Sequence, residues 1–213
     1  EFSHAATVEG KEVPAGIYGL FFVVNQDNTA EVILSKDHNS WGHYWYDAQR
    51  DQLRAPIKVR DGNFTEELTY ALTPVDKNSS ELVLSWEKKQ FPVNIKFAVD
   101  DIVMANAVEE LKGVIGFDWR SHSSAANYAL QNKVNLSQAM TWIDRAIAQN
   151  KNFTTLTIKA GLLSEAGNTA EAEKLKKESL TLATEAELNT YGYQLLGQSE
   201  YDKAIEILKL ATD

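Results

Sequence analysis

The sequence predicts an α+β protein in which an N-terminal antiparallel β-sandwich, residues 1–100, precedes a C-terminal all-α array of helical hairpins, residues 120–213. A helix and linker over 101–119 join them. Composition, apolar period and an internal repeat carry this reading. All four prolines and 13 of the 21 aromatics lie before residue 100, whereas alanine rises from 8 before it to 16 after it. Apolar residues recur at every second position in the first part and at helical spacing in the second. The two parts carry nearly equal charge, −5 and −4, so the change is structural and neither is a charged tail.

Four alternating runs mark half-buried strands: Leu53-Ala55-Ile57-Val59, Leu68-Tyr70-Leu72, Leu82-Leu84-Trp86 and Val93-Ile95-Phe97-Val99. Pro56 sits within the first run and has no N–H to donate to a neighbouring strand, which places that strand at a sheet edge. The continuous apolar stretch Gly16–Asn25 predicts a strand covered on both faces. Asp27-Asn28, Asp61-Gly62 and Asp76-Lys77-Asn78 supply turn chemistry between strands. Short strands with no helical pattern between them predict a sandwich or barrel.

Beyond residue 100, Asp100-Asp101 can cap a helix over Ile102–Lys112 that Gly113 ends. Asn135, Asn168 or Thr169, and Ser199 are the expected N-caps of later helices, with box-like spacing at Asn168-x-x-Glu171 and Ser199-x-x-Asp202. Ala139, Ala172 and Ala204 recur at separations of 33 and 32 residues, close to the tetratricopeptide period. Ala160 and Gly192 sit twelve residues upstream of the last two, where first helices are expected to approach one another. Asn127 occupies that place in the first pair. Ala146, Ser179 and Ala211 follow the reference alanines by seven residues. Three hairpins in register predict a tetratricopeptide-like array.

Composition narrows function mainly by exclusion. The absence of cysteine removes disulfide frameworks and Cys-based zinc sites. A net charge of −9 without a basic run argues against nucleic-acid binding. No apolar run reaches the roughly 18 residues of a membrane span, and Glu1-Phe2-Ser3-His4 lacks the signature of a signal peptide. No Gly-x-Ser-x-Gly, Gly-x-x-x-x-Gly-Lys or Gly-x-Gly-x-x-Gly motif occurs. No cofactor is expected.

The ordered set Val8-Glu-Gly-Lys-Glu-Val-Pro14-Ala-Gly-Ile-Tyr-Gly-Leu-Phe, Val32-Ile-Leu-Ser, Ser40-Trp-Gly, Tyr46-Asp, Asp51-Gln-Leu-Arg54 and Leu84-Ser-Trp86-Glu87 resembles a bacterial family known as domain of unknown function 2911. The resemblance covers about residues 1 to 100. The helical part, with Trp119, Ala125-Ala126-Asn127-Tyr128 and Lys159-Ala160, looks like the tail that often follows this domain. The resemblance implies a Bacteroidetes-type source and a periplasmic or extracellular home. It also implies amino-terminal motifs that this chain lacks, so the chain is expected to be a fragment or processed form. It implies no activity or catalytic residue.

The densest candidate site is Trp41-Gly-His43-Tyr44-Trp45-Tyr46-Asp47. On a strand, Trp41, His43, Trp45 and Asp47 share one face and Tyr44 and Tyr46 the other. Such a platform suits stacking on a sugar or peptide, while packing of the sandwich core and rim is the expected default. His38, His43, Asp47 and Asp51 are chemically able to ligate a metal. The five-residue step between the histidines fits neither a helix face nor a strand face, and no metal site is expected. Solvent-exposed or hydrogen-bonded loop histidines are the expected account of this pair, and His4 and His122 have no partner in sequence. Asp47, Asp51 and Arg54 are expected to form a charge-assisted cluster that fixes this loop to the next strand. Trp86 extends the buried face of Leu82 and Leu84, and Glu87 points away from it. In the helical part Tyr128, Trp142, Tyr191, Tyr193 and Tyr201 are candidates for a peptide groove, with inter-helix packing expected for most. Lys174, Lys176 and Lys177 beside Glu171, Glu173 and Glu178 read as a solvated helix face. The expected function is therefore binding or scaffolding of a protein or peptide partner through the helical repeats. The alternatives are a carbohydrate-binding or carbohydrate-processing protein using the Trp41 to Tyr46 aromatic cluster with Asp47 or Glu87, and a metal-dependent hydrolase built from His38, His43, Asp47 and Asp51.

Overall fold

A computed structural model describes residues 1–212. The chain divides into two compact units, residues 1–102 and residues 103 onward.

The first unit contains seven antiparallel strands, β1 (Ala6–Val8), β2 (Lys11–Val13), β3 (Gly19–Val24), β4 (Thr29–Ser35), β5 (Asp51–Lys58), β6 (Arg60–Pro74) and β7 (Ser79–Lys96). They form a sheet of order β2-β1-β7-β6 and another of order β3-β4-β5. Both sheets turn their buried faces into one core, with Ala30, Val32, Leu34, Leu53, Ala55 and Ile57 from one and Val8, Val13, Leu84, Phe91, Val93 and Ile95 from the other. The β1–β2 turn is Glu9-Gly10, both at positive φ, as a two-residue hairpin requires. Asp27 closes the β3–β4 turn by accepting from the Thr29 N–H and hydroxyl at 3.0 and 2.6 Å. Pro56 does sit on an edge strand, since β5 pairs only with β4.

Three strand expectations change. β3 is an edge strand, half-buried along most of its length and not covered on both faces. Asp61-Gly62 lies inside β6, and the crossing between sheets occurs at Val59. The Leu82 and Val93 runs belong to one strand, β7. Straight, its 18 residues would span about 60 Å. Yet the Phe97 N–H donates to the Asn78 carbonyl at 2.8 Å, just outside its two ends. β7 therefore folds back on itself. The burial alternation changes phase between Leu84 and Phe91, and between them Glu87 takes a left-handed φ of 50°. On β6 the pairing register slips twice, between Asp61 and Thr65 and between Thr65 and Thr69, so the ribbon bends as a pair.

The helices are α1 (Val99–Glu110), α2 (Trp119–Asn132), α3 (Leu136–Gln149), α4 (Phe153–Glu165), α5 (Thr169–Thr181), α6 (Glu185–Gly197) and α7 (Tyr201–Leu210). Asp100 and Asp101 lie in the first turn of α1 and do not cap it, where their charge still complements the helix dipole. From α2 onward the helices form hairpins α2–α3, α4–α5 and α6–α7. Ala139, Ala172 and Ala204 are each the fourth residue of a second helix, and each is buried. Ala126, Ala160 and Gly192 are each the eighth residue of a first helix, and all are buried. Asn127 is exposed, because the first pair places one more residue between these two positions than the other pairs.

The close approach also differs from expectation. A Cβ on Gly192 would lie 2.5 Å from Leu208 Cδ2, so this site faces its own partner helix. Gly161 provides the contact between first helices, since its Cβ would lie 2.6 Å from Leu130 Cδ2 on α2. Ser179 replaces alanine at little cost, because its buried hydroxyl donates to the Lys176 carbonyl at 2.8 Å.

The second helices are entered through tight turns, and this redistributes the caps. Asn135 and Ser199 take positive φ and Asn168 has ψ of 64°, away from the extended geometry that lets a capping side chain reach back. None of the three makes a side-chain cap, and Glu200, not Ser199, precedes α7. The capping boxes stand instead on first helices, Asn152 with Thr155 and Thr184 with Glu187. His122, which has no evident partner in sequence, is buried in α2 with Nε2 hydrogen-bonded to the Gly116 carbonyl at 2.9 Å.

Ala126→Leu forces an isobutyl group into a filled contact and should lower stability by about 1–3 kcal/mol in urea unfolding. Asn127→Leu should change it by less than about 0.5 kcal/mol. Equal effects would refute the assignment of the first hairpin.

Candidate functional site

The aromatic segment lies in a loop, Lys36 to Arg50, and not on a strand. Its ends are drawn together by the Lys36 N–H donating to the Arg50 carbonyl at 2.9 Å and by an Arg50–Asp37 ion pair at 2.6 Å. Gly19 makes room for the loop, since a Cβ there would lie 2.5 Å from the Asp37 carbonyl oxygen. Gly42, at φ 63°, turns the chain within it.

Tyr46 fastens this loop to the outer face of the β3-β4-β5 sheet. Its ring meets Phe21 edge-on at 5.5 Å. Its hydroxyl donates to Asp51 Oδ2 at 2.7 Å and accepts from Arg54 Nη2 at 2.8 Å. Arg54 also donates from Nη1 to Glu31 at 2.7 Å and from Nε to Asp51 at 3.4 Å. Burial and then the bond to Asp51 push the Tyr46 phenol above its ordinary range, while Glu31 and then Tyr46 raise the Arg54 guanidinium further. Ile33, on the same sheet face, pairs in register with both Phe21 and Arg54 and is only 1% exposed.

The expected trio of Asp47, Asp51 and Arg54 is only partly assembled. Asp47 instead caps the 3-10 turn Ala48–Arg50 by accepting from the Gln49 N–H at 2.9 Å. Glu31 and Tyr46 complete the cluster. Glu31 was discoverable from alternation, because it lies between Ala30 and Val32 and therefore on the face opposite the core.

The rest of the loop presents its rings to solvent. Trp41 is 79% exposed, Tyr44 71% and Trp45 68%, so they do not pack the sandwich core. Tyr44 stacks with Trp41 at 5.7 Å and with His43 at 5.3 Å, and tilts against Trp45 at 6.2 Å. Mutual stacking holds this shelf in place and leaves ring faces open to a flat apolar partner. His43 is thus an element of a stack. Among the described residues no group of three or more His, Asp or Glu side chains is placed to hold a metal ion. Trp86, 56% exposed, and Glu87 lie at the bend of β7 and not on a buried face.

A second site belongs to the first helices of the hairpins. A groove of about 510 Å³ runs over α2, α4 and α6. Asn127, Gln131 and Gln194 contribute amides, and Thr154, Thr157 and Thr190 contribute hydroxyls. Phe153 and Tyr191, 5.9 Å apart, supply its aromatic surface. Glu187 is its one charged lining residue among the described residues, and its carboxylate accepts from the Thr184 N–H and hydroxyl at 2.9 and 2.8 Å. Of the aromatic candidates, only Tyr191 lines this groove. Trp142 is buried with Ala139, Ile143 and Ala146 on the core stripe of α3. Tyr128 lines a separate depression beside α1, and Tyr193 and Tyr201 face solvent.

Residues 1–95 match the model of a family described as a protein of unknown function, DUF2911. No curated protein and no solved structure matches the chain.

Because Tyr46 is held protonated in the folded state, its contribution to stability is complete below the free-tyrosine value of about 10 and is lost as pH rises through its raised value. The difference in alkaline absorbance titration between the native protein and Tyr46→Phe should show one phenol ionising above about 10. A transition at or below that value would contradict the clasp. Tyr46→Phe should also cost about 1 kcal/mol in urea unfolding.

Proposed function

We propose that the chain is a binding protein whose tetratricopeptide-like hairpins hold an extended peptide segment of a protein partner in the groove over α2, α4 and α6. The observation that carries this is the groove's lining. Amides donate and accept at once, which matches the alternating N–H and C=O of a peptide backbone. An aromatic base gives one apolar side chain a place to bury. The home proposed for this activity is the periplasm or the outside of the cell, and its support is the resemblance to a family whose members often carry export signals. The reading involves binding and no reaction, and needs no cofactor.

A peptide library selected on the complete chain tests it. Selected peptides should lose affinity by at least about tenfold on Tyr191→Ala or on the pair Asn127→Ala and Gln131→Ala, with the fold unchanged by circular dichroism. Peptides that bind those variants as tightly as the native chain would remove the groove from the account.

A second reading rests on the exposure of Trp41 and Trp45. The rings of the loop form a stacking shelf for a sugar, with the Arg54 cluster holding the loop beneath them. Oligosaccharides should then quench tryptophan fluorescence saturably, and Trp41→Ala together with Trp45→Ala should abolish this. Quenching that survives both substitutions would exclude the shelf.

A further inference from the structure

The bend of the β6–β7 ribbon has a consequence separate from both sites. It brings the tip of the ribbon over the open side of the core and creates a cavity of about 300 Å³, at the lower end of the range typical of small-molecule sites. Three walls surround it. Leu20 and Leu34 come from the β3–β4 pair, Val93 and Ile95 from the last part of β7, and Leu72 and Leu82 from the folded-back tip. An aromatic trio closes one side, with Phe2 packed 6.2 Å from Tyr18 and 6.1 Å from Phe97. Phe2 is fixed there by a two-way backbone bridge to Gly16, at 2.8 and 2.9 Å.

The polar groups of this cavity are few. The Tyr18 hydroxyl is already committed to the Pro14 carbonyl at 3.0 Å. Ser80 and Glu1 are the other polar residues, and no lysine, arginine or histidine lines it among the described residues. An apolar cavity of about 150 Å³ lined by Leu, Ile and Phe is enough to take up benzene from water. One of twice that size, with no basic side chain in its lining, favours a larger hydrocarbon and offers an anionic head group no lysine, arginine or histidine to pair with. We propose that this cavity binds an uncharged, predominantly hydrocarbon molecule, of which medium-chain fatty alcohols are the model class.

The test uses the complete chain and the neutral fluorophore N-phenyl-1-naphthylamine. Saturable binding is expected, with displacement by 1-decanol and much weaker displacement by laurate at pH 8. Leu82→Trp, which puts an indole into the cavity wall, should weaken fluorophore binding by about tenfold. Leu20→Trp serves the same purpose if circular dichroism shows that Leu82→Trp does not fold. The double substitution Phe64→Ser with Trp86→Ser removes exposed apolar surface outside the cavity and should leave binding unchanged. Absence of saturable binding would overturn the proposal. So would binding lost in the double variant but kept in the cavity variants, or laurate competing as well as decanol.

Discussion

The helical unit depends on close approach at small side chains. A helix pair can bring its axes together only where one partner presents no bulk, and each hairpin meets this need at the eighth residue of its first helix, Ala126, Ala160 or Gly192. The second helix answers with alanine at its fourth residue. Gly161 then lets α4 approach Leu130 of α2. With the first helices set side by side, residues that face away from the hairpin cores fall onto one shared surface. That surface is the groove of amides and hydroxyls, and its geometry follows from the packing of the helices, in which its own Ile158 and Tyr191 take part. Ion pairs tie successive elements at the rim, Lys159 with Asp144 at 2.7 Å and Lys133 with Glu165 at 3.1 Å, but at their exposure they add little to stability.

In the β unit the corresponding constraint is the bend at Glu87. A straight β6–β7 ribbon would run far past the small β3-β4-β5 sheet. Bending it at a left-handed residue, with two register slips on the partner strand, returns Leu72 and Leu82 to the neighbourhood of Ile95. The bend also leaves Phe64, Trp86 and Glu87 exposed. Independently of it, the outer face of the smaller sheet is closed by Tyr46, whose hydroxyl both donates and accepts within the Glu31–Arg54–Asp51 cluster. The two features show opposite uses of an irregular segment. One loop is clasped to a sheet so that its tip can display rings, and one strand is broken so that its tip can line a core.

Much of this was legible in the sequence. Period-2 alternation found the strands, Pro56 marked the edge, and the recurrence of Ala139, Ala172 and Ala204 gave the hairpin period because alanine is selected there by volume. What was not legible depends on conformation with no compositional mark. Glu87 is an ordinary residue at positive φ, so nothing distinguishes one bent strand from two straight ones. Asn168 and Ser199 have capping chemistry but lack capping geometry, because tight turns set their dihedrals. Asn127 was expected at a contact that Ala126 makes, since a spacing counted back from the second helix assumes hairpins of equal length. The rings of Trp41 to Trp45 carry the composition of a core segment, and only the closure of the loop at Lys36 and Arg50 shows that they are displayed. The groove itself was missed, because Asn, Gln and Thr on a helix are indistinguishable in sequence from a solvated face until the neighbouring helices are placed.

The most direct measurement of the central claim, that the first helices present the binding surface, is amide hydrogen exchange on the complete chain with and without a bound selected peptide. The account predicts slower exchange over α2, α4 and α6, with α3, α5 and α7 and the loop from Lys36 to Arg50 unchanged. Protection confined to the second helices or to that loop would contradict it.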